Sequence, residues 1–195
     1  MCGRPKKSNR NSKPILDKEF QILKTYINGL ETFDTTKIKW NRSIEFLFLS
    51  GLRVSELLNI KIKDIREGIM KGEISVFISK QNIIRHIPLS ANSIKVLAKL
   101  LKNEIDDEDY FIHKRNNKKS KLNSNGFTKD LNDLIQLVLG AEYSSHSFRK
   151  GLITAMSVKG INPKITQHFV GHRNVSTTLN YYKPTSDDIR ECLVR

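Results

Sequence analysis

Apolar residues recur at intervals of three and four along most of the chain, a spacing typical of helices that bury one face. Phe20, Leu23 and Ile27 show it clearly, with Asp17 as the predicted N-cap and Gly29 as the predicted end. Trp40 is expected in the core. Further helices are predicted over about 36–50, after a cap at Ser90 or Asn92, over 127–139, 145–159 and 163–170, and from a cap at Ser176 through Tyr181.

The period changes between residues 73 and 89. Ile74, Val76 and Ile78 alternate with other residues, and Pro88 closes a second run because it cannot donate to a strand ladder. This pattern predicts a β-hairpin with Lys80 beside its turn. Residues 110–112 are a candidate for a further short strand, and the basic run 113–121 is predicted to be a loop. The expected fold class is α+β, mostly helical, with one small antiparallel sheet.

Length and charge restrict the classes of function that the chain could have. A chain of 195 residues can build one sizeable core, and 38% hydrophobic residues are typical of a globular protein. Lys and Arg number 34 against 20 acidic residues, which gives a net charge of +14. A surplus of this size favours a polyanionic partner, most often nucleic acid, over a merely basic soluble protein.

Two basic segments are candidates for nucleic-acid contacts. Residues 1–14 are predicted to form a flexible arm and residues 15–195 a single domain. A disordered end and a solvated turn are the alternative interpretations. The candidate contacts are Arg4, Lys6, Lys7 and Arg10 in the arm, and Lys114, Arg115, Lys118 and Lys119 in the later run.

The cysteines and the N-terminus exclude several classes. Cys2 and Cys192 lie at opposite ends without CxxC or Cys/His ligand spacing, so the sequence supports neither a disulfide framework nor a zinc site. We find no signal-peptide core and no apolar stretch of membrane-spanning length. A cytoplasmic protein is expected.

Several residues with catalytic chemistry occur in a suggestive order: Arg53, Lys80, His146, Arg149, His172 and Tyr181. No metal-ligand cluster or Gly-rich phosphate loop accompanies them. Phosphodiester cleavage without a metal requires another positive group at the phosphate, and guanidinium serves well because it is planar, permanently charged and bidentate. Each residue taken alone is more often structural than catalytic.

A covalent route would also need a nucleophile and proton transfer. Tyr181 could attack phosphorus, and Lys80 on a hairpin could protonate the leaving oxygen. His146 and Arg149 are three residues apart on a predicted helix, so they share a face. Composition cannot choose between Tyr181 and its neighbour Tyr182.

Five motifs in order resemble the tyrosine recombinases, the phage integrase family. They are Gly-Leu-Arg-Val-Ser-Glu-Leu at 51–57, Val-Phe-Ile-Ser-Lys at 76–80, Arg-His-Ile-Pro-Leu at 85–89, His-Ser-Phe-Arg at 146–149 and Gly-His-Arg-Asn-Val-Ser-Thr-Thr at 171–178. The resemblance implies that family's catalytic-domain fold and selects Tyr181, nine residues after His172, as nucleophile. It implies catalytic roles for the other five residues and a supporting role for Glu56.

The resemblance also implies function and partners. It implies site-specific DNA recombination through a 3′-phosphotyrosyl link, by a homotetramer on paired double-stranded DNA sites, near the nucleoid, with no cofactor or metal. An accessory DNA-bending protein is a further candidate partner. Lys150 stands where the family commonly has histidine, and the short N-terminus is similar to single-domain members or to a truncated remnant. The alternatives are a degenerate DNA-binding relative and a type IB topoisomerase or telomere resolvase.

Overall fold

The computed structural model describes residues 12–78, 82–102, 104–171 and 174–182. Helices dominate these ranges, which confirms the predicted α+β class. The helices are α1 (Asp17–Gly29), α2 (Asp34–Ser50), α3 (Val54–Leu57), α4 (Ile62–Lys71), α5 (Ala91–Leu100), α6 (Ser124–Leu139), α7 (Ser145–Val158), α8 (Pro163–Val170) and α9 (Val175–Leu179). The strands are β1 (Glu73–Ile78), β2 (Ile83–Pro88), β3 (His113–Lys114) and β4 (Asn117–Lys121).

Two of the predicted helix starts were wrong. Asp17 is the first residue of α1, and the cap position belongs to Leu16, whose backbone N–H donates to Glu19 at 3.1 Å. The last helix is capped by Asn174, whose side chain accepts from the Ser176 N–H at 3.0 Å. In both places a side chain two or three residues away satisfies the free N–H group. Helix α9 also ends at Leu179, so Tyr181 lies in the turn that follows.

The sequence pattern missed helices α3 and α4. Residues 53–60 were expected to form a short turn, and no helix was predicted after them. Ile62, Ile65 and Gly68 nevertheless form a buried stripe on α4. Gly68 allows close packing, because a Cβ there would lie 2.2 Å from Cγ1 of Ile74 on β1. Helix α4 therefore packs closely against strand β1 of the hairpin.

The predicted hairpin is confirmed by β1 and β2, which pair antiparallel with Val76 opposite Arg85. The predicted loop at 113–121 was wrong, because β3 and β4 form a second antiparallel pair. The described residues thus contain two small sheets where one was expected. The candidate strand at 110–112 is also wrong, since Tyr110 forms an isolated bridge with Lys61.

An acidic segment explains why the basic run can fold into a hairpin. Residues 104–109 lie beside it, and Lys118 pairs with Glu104 at 2.9 Å while Lys119 pairs with Asp106 at 3.0 Å. The same segment pairs with α4 and the residue before it, where Lys61 and Lys63 both contact Glu108. Opposite charge from the segment just before the run therefore reduces repulsion within it.

Helix α2 runs through the core. Phe46, which is fully buried, meets Phe111 edge-on at 5.7 Å between ring centroids. Trp40 is buried as predicted and stacks on Phe127 at 5.5 Å. Phe48, predicted on the buried face, is only partly buried. No helix within the described ranges has the length and apolar character needed to cross a membrane.

Residues 12–15 pack against α7. The Ile15 N–H donates to the Ser147 carbonyl at 3.0 Å, and the Lys150 ammonium donates to the Ser12 carbonyl at 2.7 Å. Gly151 makes room, because a Cβ there would lie 1.9 Å from the Ile15 oxygen. The division at residue 14 stays a prediction, and residues 12–14 are part of the packed structure.

Candidate active site

A tight turn at the end of α2 positions the first candidate arginine. Gly51 ends the helix in the left-handed region, with φ of 58°. A Cβ at this position would lie 2.7 Å from the Leu152 side chain on α7. Glycine is needed for the backbone conformation and for the close approach of the two elements. The chain leaves this turn through buried Leu52 directly into Arg53.

Arg53 reaches solvent and is oriented by Glu56. Its backbone N–H donates to one carboxylate oxygen of Glu56 at 2.8 Å, and Nη1 donates to the other at 2.6 Å. Glu56 is buried, whereas the side chain of Arg53 is 33% exposed. The carboxylate therefore holds the guanidinium at the surface.

Arg149 contacts the same turn from its buried side. It is 6% exposed, and its Nη1 donates to the Gly51 carbonyl at 3.1 Å. Its Nη2 donates to the Val170 carbonyl at the end of α8. Burial, followed by repulsion from Arg53, lowers the pKa of Arg149 to about 10. The group stays charged at neutral pH, and the two arginines lie in one site.

His146 lies three residues before Arg149 on α7. It keeps an exposed surface, yet the surrounding protein and then repulsion from Arg149 and Arg53 lower its pKa below 6.5. The imidazole is consequently neutral at pH 7, so it can accept a proton.

Arg85, which begins the Arg-His-Ile-Pro-Leu motif but was given no role from the sequence, is a third guanidinium at this site. It is 5% exposed, its Nη2 donates to the Ser50 carbonyl, and it stacks on Phe169 at 4.6 Å. Burial and then repulsion from Arg149 lower its pKa to about 9. Strand alternation carries the signal that could have found it, because Arg85 shares the inward face of β2 with Ile87.

The two adjacent tyrosines have different surroundings. The hydroxyl of Tyr182 bonds to the buried Thr166 side chain at 2.5 Å. The Tyr181 carbonyl accepts from Ser157 at 2.7 Å, which fixes its backbone against α7. Burial raises the pKa of the Tyr181 phenol, and Arg149 partly offsets this. The phenol of Tyr181 thus interacts electrostatically with Arg149.

Other predicted site residues are placed elsewhere or not described. Lys80, His172, Arg4, Lys6, Lys7 and Arg10 lie outside the described residues. Lys114, Arg115, Lys118 and Lys119 belong to the β3–β4 hairpin, where Arg115 stacks on Phe33 at 4.4 Å. Within the described ranges, no three His, Cys, Asp or Glu residues are grouped to hold a metal ion.

Comparison with known proteins agrees with this geometry. The model of the phage integrase family matches residues 6–187. The chain belongs to this family. Its first and second arginine motifs, at Arg53 and Arg149, are the parts that the fold brings together.

Curated relatives include the tyrosine recombinases XerA of two archaea. The one from Pyrococcus furiosus is 30% identical over 85% of this chain and 57% of its own length. The one from Pyrococcus horikoshii is 34% identical over 75% of this chain and 51% of its own length. The chain therefore spans about half the length of these relatives.

A solved structure shows the same fold. The Tn1549 transposon integrase in complex with circular intermediate DNA superposes with a TM-score of 0.73 at 21% identity, covering 95% of this chain and 67% of that one. This similarity confirms the tyrosine recombinase catalytic-domain fold.

Proposed function

We propose that this chain is the catalytic part of a site-specific DNA recombinase that cleaves and rejoins strands through a 3′-phosphotyrosyl link at Tyr181. One observation carries the proposal: Arg53 and Arg149, 96 residues apart in sequence, meet at a single turn with Tyr181 close to Arg149. Family membership supports the same reaction.

The arginines supply the charge that phosphoryl transfer needs. Arg53, Arg85 and Arg149 surround one buried carboxylate, that of Glu56, so the site carries excess positive charge. An anionic phosphodiester between them would relieve this repulsion. The charge is fixed before the substrate arrives, and such preorganised charge is the largest contribution in many enzymes. Arg53 and Arg149 would contact the nonbridging oxygens, assisted by His172.

Tyr181 would attack phosphorus. A phenol is protonated at neutral pH, and burial raises the pKa of Tyr181 further, so the attack needs a proton acceptor. His146 is neutral at that pH and would serve this transfer. Lys80 would protonate the leaving 5′-oxygen. The freed 5′-hydroxyl of a partner strand would then attack the link and complete the exchange.

Double-stranded DNA is the proposed substrate, in agreement with the net charge of +14. Strand exchange between two sites would need a homotetramer, and an accessory DNA-bending protein would help to bring the sites together. The protein would act at the nucleoid or at a mobile element. No cofactor or metal takes part in the proposed steps.

The test is trapping of a covalent intermediate. Duplexes that carry inverted repeats from the DNA flanking the gene would be nicked near the cleavage point, so that the leaving fragment diffuses away and religation is blocked. We expect an adduct resistant to denaturation that Tyr181→Phe abolishes and Tyr182→Phe retains.

Other outcomes separate the alternatives. Specific DNA binding without any adduct would identify a degenerate, non-cleaving relative and contradict the proposal. Relaxation of supercoiled DNA without a recognition site would indicate a topoisomerase. An adduct that persists in Tyr181→Phe and disappears in Tyr182→Phe would reverse the assignment of the nucleophile.

A further inference from the structure

Arg85 and Arg149 connect the same two elements. Arg149 donates to the Gly51 carbonyl at the end of α2 and to the Val170 carbonyl at the end of α8. Arg85 donates to the preceding carbonyl, that of Ser50, and lies over the ring of Phe169, the residue before Val170. The guanidinium groups of Arg85 on β2 and Arg149 on α7 thus contact neighbouring residues at the ends of both α2 and α8.

The surroundings of Arg85 are unusual for a structural arginine. The buried Arg42 offers a comparison, since it bonds to the carboxylate of Glu104 at 2.6 Å and to the Leu100 and Phe111 carbonyls. Within the described ranges, Arg85 has no carboxylate hydrogen bond and its Nε and Nη1 have no acceptor, whereas Arg42 leaves only its Nε without one. A buried charge with so few partners costs stability, which a purely structural role would not explain.

The position of Arg85 in the chain indicates a functional reason for this loss of stability. It lies on β2, the strand that follows Lys80 in the sequence. The end of α2 leads within three residues to Arg53, and the end of α8 leads within two residues to His172. Arg85 therefore contacts the segments that precede two candidate catalytic residues, and it does so from the strand that follows a third.

We propose that Arg85 is a positioning residue, which fixes the ends of α2 and α8 against the β1–β2 hairpin so that Arg53 is held in its reactive arrangement. This inference rests on the recombinase function proposed above. Arg85 acts through Arg53 and the turn before it. Its charge also adds to the positive potential that a phosphate would meet.

The first test measures the rate of adduct formation at saturating DNA in a single turnover. Arg85→Lys keeps the charge but loses the planar fork, and we expect its rate constant to fall about 10- to 100-fold, the loss that small misplacement of a catalytic group causes. The DNA dissociation constant should change by less than about 3-fold, because Arg85 is buried and the substitution keeps its positive charge. The rate constant of Arg85→Met should be lower still.

Arg42→Lys is the matched control, because Arg42 is also buried, stacked on an aromatic ring and bonded to carbonyl groups. It should lower the melting temperature yet leave the rate constant of the folded protein unchanged. A double variant tests the mechanism: if Arg85 acts through Arg53, Arg53→Lys combined with Arg85→Lys should react about as slowly as Arg53→Lys alone. Effects that multiply would contradict positioning through Arg53.

Hydrogen exchange tests the same inference without any DNA cleavage. The amides of residues 51–53 are bonded to Leu47, Ser50 and Glu56, and we expect faster exchange there in Arg85→Met but not in Arg42→Lys. If the wild-type chain formed no adduct, the recombinase function would fail while this measurement still reported on Arg85. Unchanged exchange at residues 51–53 in Arg85→Met, or a wild-type rate constant in Arg85→Lys, would overturn the inference.

Discussion

The protonation states of individual side chains determine what the site can do at neutral pH. Burial raises the pKa of Tyr181, so its phenol keeps its proton. Burial and the neighbouring arginines lower the pKa of His146, so its imidazole is unprotonated. Arg149 remains charged, with a pKa of about 10. The site thus holds a proton donor and a proton acceptor beside fixed positive charge.

His146 should therefore set the acid side of the pH–rate profile. The reaction needs neutral imidazole, and burial and the neighbouring arginines lower the pKa of His146 from its ordinary value, so the acid-side fall in the single-turnover rate should be centred at a lower pH than the pKa of a free imidazole. His146→Gln should react about 100-fold more slowly and lose this acid limb. An acid limb that persists in the variant would assign it to another group.

Side-chain chemistry made several site residues predictable. Arg53, Arg149 and Tyr181 were identified because phosphoryl transfer needs guanidinium groups and a nucleophile, and because their motifs are distinctive. Arg85 was quoted only as part of the motif at 85–89 and was given no role, because its importance depends on burial and on its contact with Ser50, and neither can be read from residue type. The choice of Tyr181 over Tyr182 came from motif spacing, and Thr166, which engages Tyr182, adds a physical reason.

At the scale of elements, the α2–α3 turn carries more function than its length implies. Its carbonyl groups at Ser50 and Gly51 accept from two different elements, and Arg53 follows at once. The turn has the required shape because Gly51 adopts positive φ and lets α7 approach. Conformation and packing are therefore constrained at the same residue.

Gly51→Ala, compared with a control at another glycine, should separate the constraint on backbone conformation from the constraint on packing against α7. Positive φ alone costs an alanine about 1 kcal/mol, and overlap with Leu152 adds about 2 kcal/mol. Gly72→Ala is the matched control, because Gly72 also ends a helix with positive φ but has open space around a Cβ. Urea unfolding should show about 3 kcal/mol lost for Gly51→Ala and about 1 kcal/mol for Gly72→Ala. Equal losses would show that α7 yields without cost.

Elements with strong periodicity were predictable, and the exceptions have physical causes. Helix α8 was predicted with the bounds it has, because Pro163 begins it and Gly171 ends it. Helix α4 was missed because its buried stripe is short and includes Gly68, which reads as a helix breaker. The β3–β4 hairpin was missed because its charges are balanced by ion pairs with residues 104–109, and the sequence does not show which side chains form those pairs.

At the scale of the whole molecule, some positively charged side chains pair with carboxylates and others do not. Carboxylates at 104–109 pair with Lys118, Lys119 and the cations near α4. Within the described residues, the ammonium of Lys114 has no carboxylate partner. The net charge of +14 thus does not mean that every lysine is available to DNA. The sequence indicated a polyanionic partner, but it could not show which cations are already paired.

This difference predicts how two lysines of the same hairpin affect DNA binding. Each phosphate contact releases condensed counterions, so losing one contact reduces the slope of log Kd against log salt by about 1. Lys114→Gln should produce this reduction if the hairpin contacts DNA. Lys119→Gln should change the slope much less, because Asp106 already neutralises that ammonium at 3.0 Å.

Fluorescence anisotropy on one nonspecific duplex, titrated at several salt concentrations, would give both slopes. Lys119→Gln is the matched control for Lys114→Gln, since it removes the same charge from the same hairpin. Equal reductions would mean that DNA displaces the Asp106 pair, whereas unchanged slopes in both variants would remove the β3–β4 hairpin from the DNA-binding surface. In that last case other parts of the chain would supply the phosphate contacts, since the overall charge still favours a polyanionic partner.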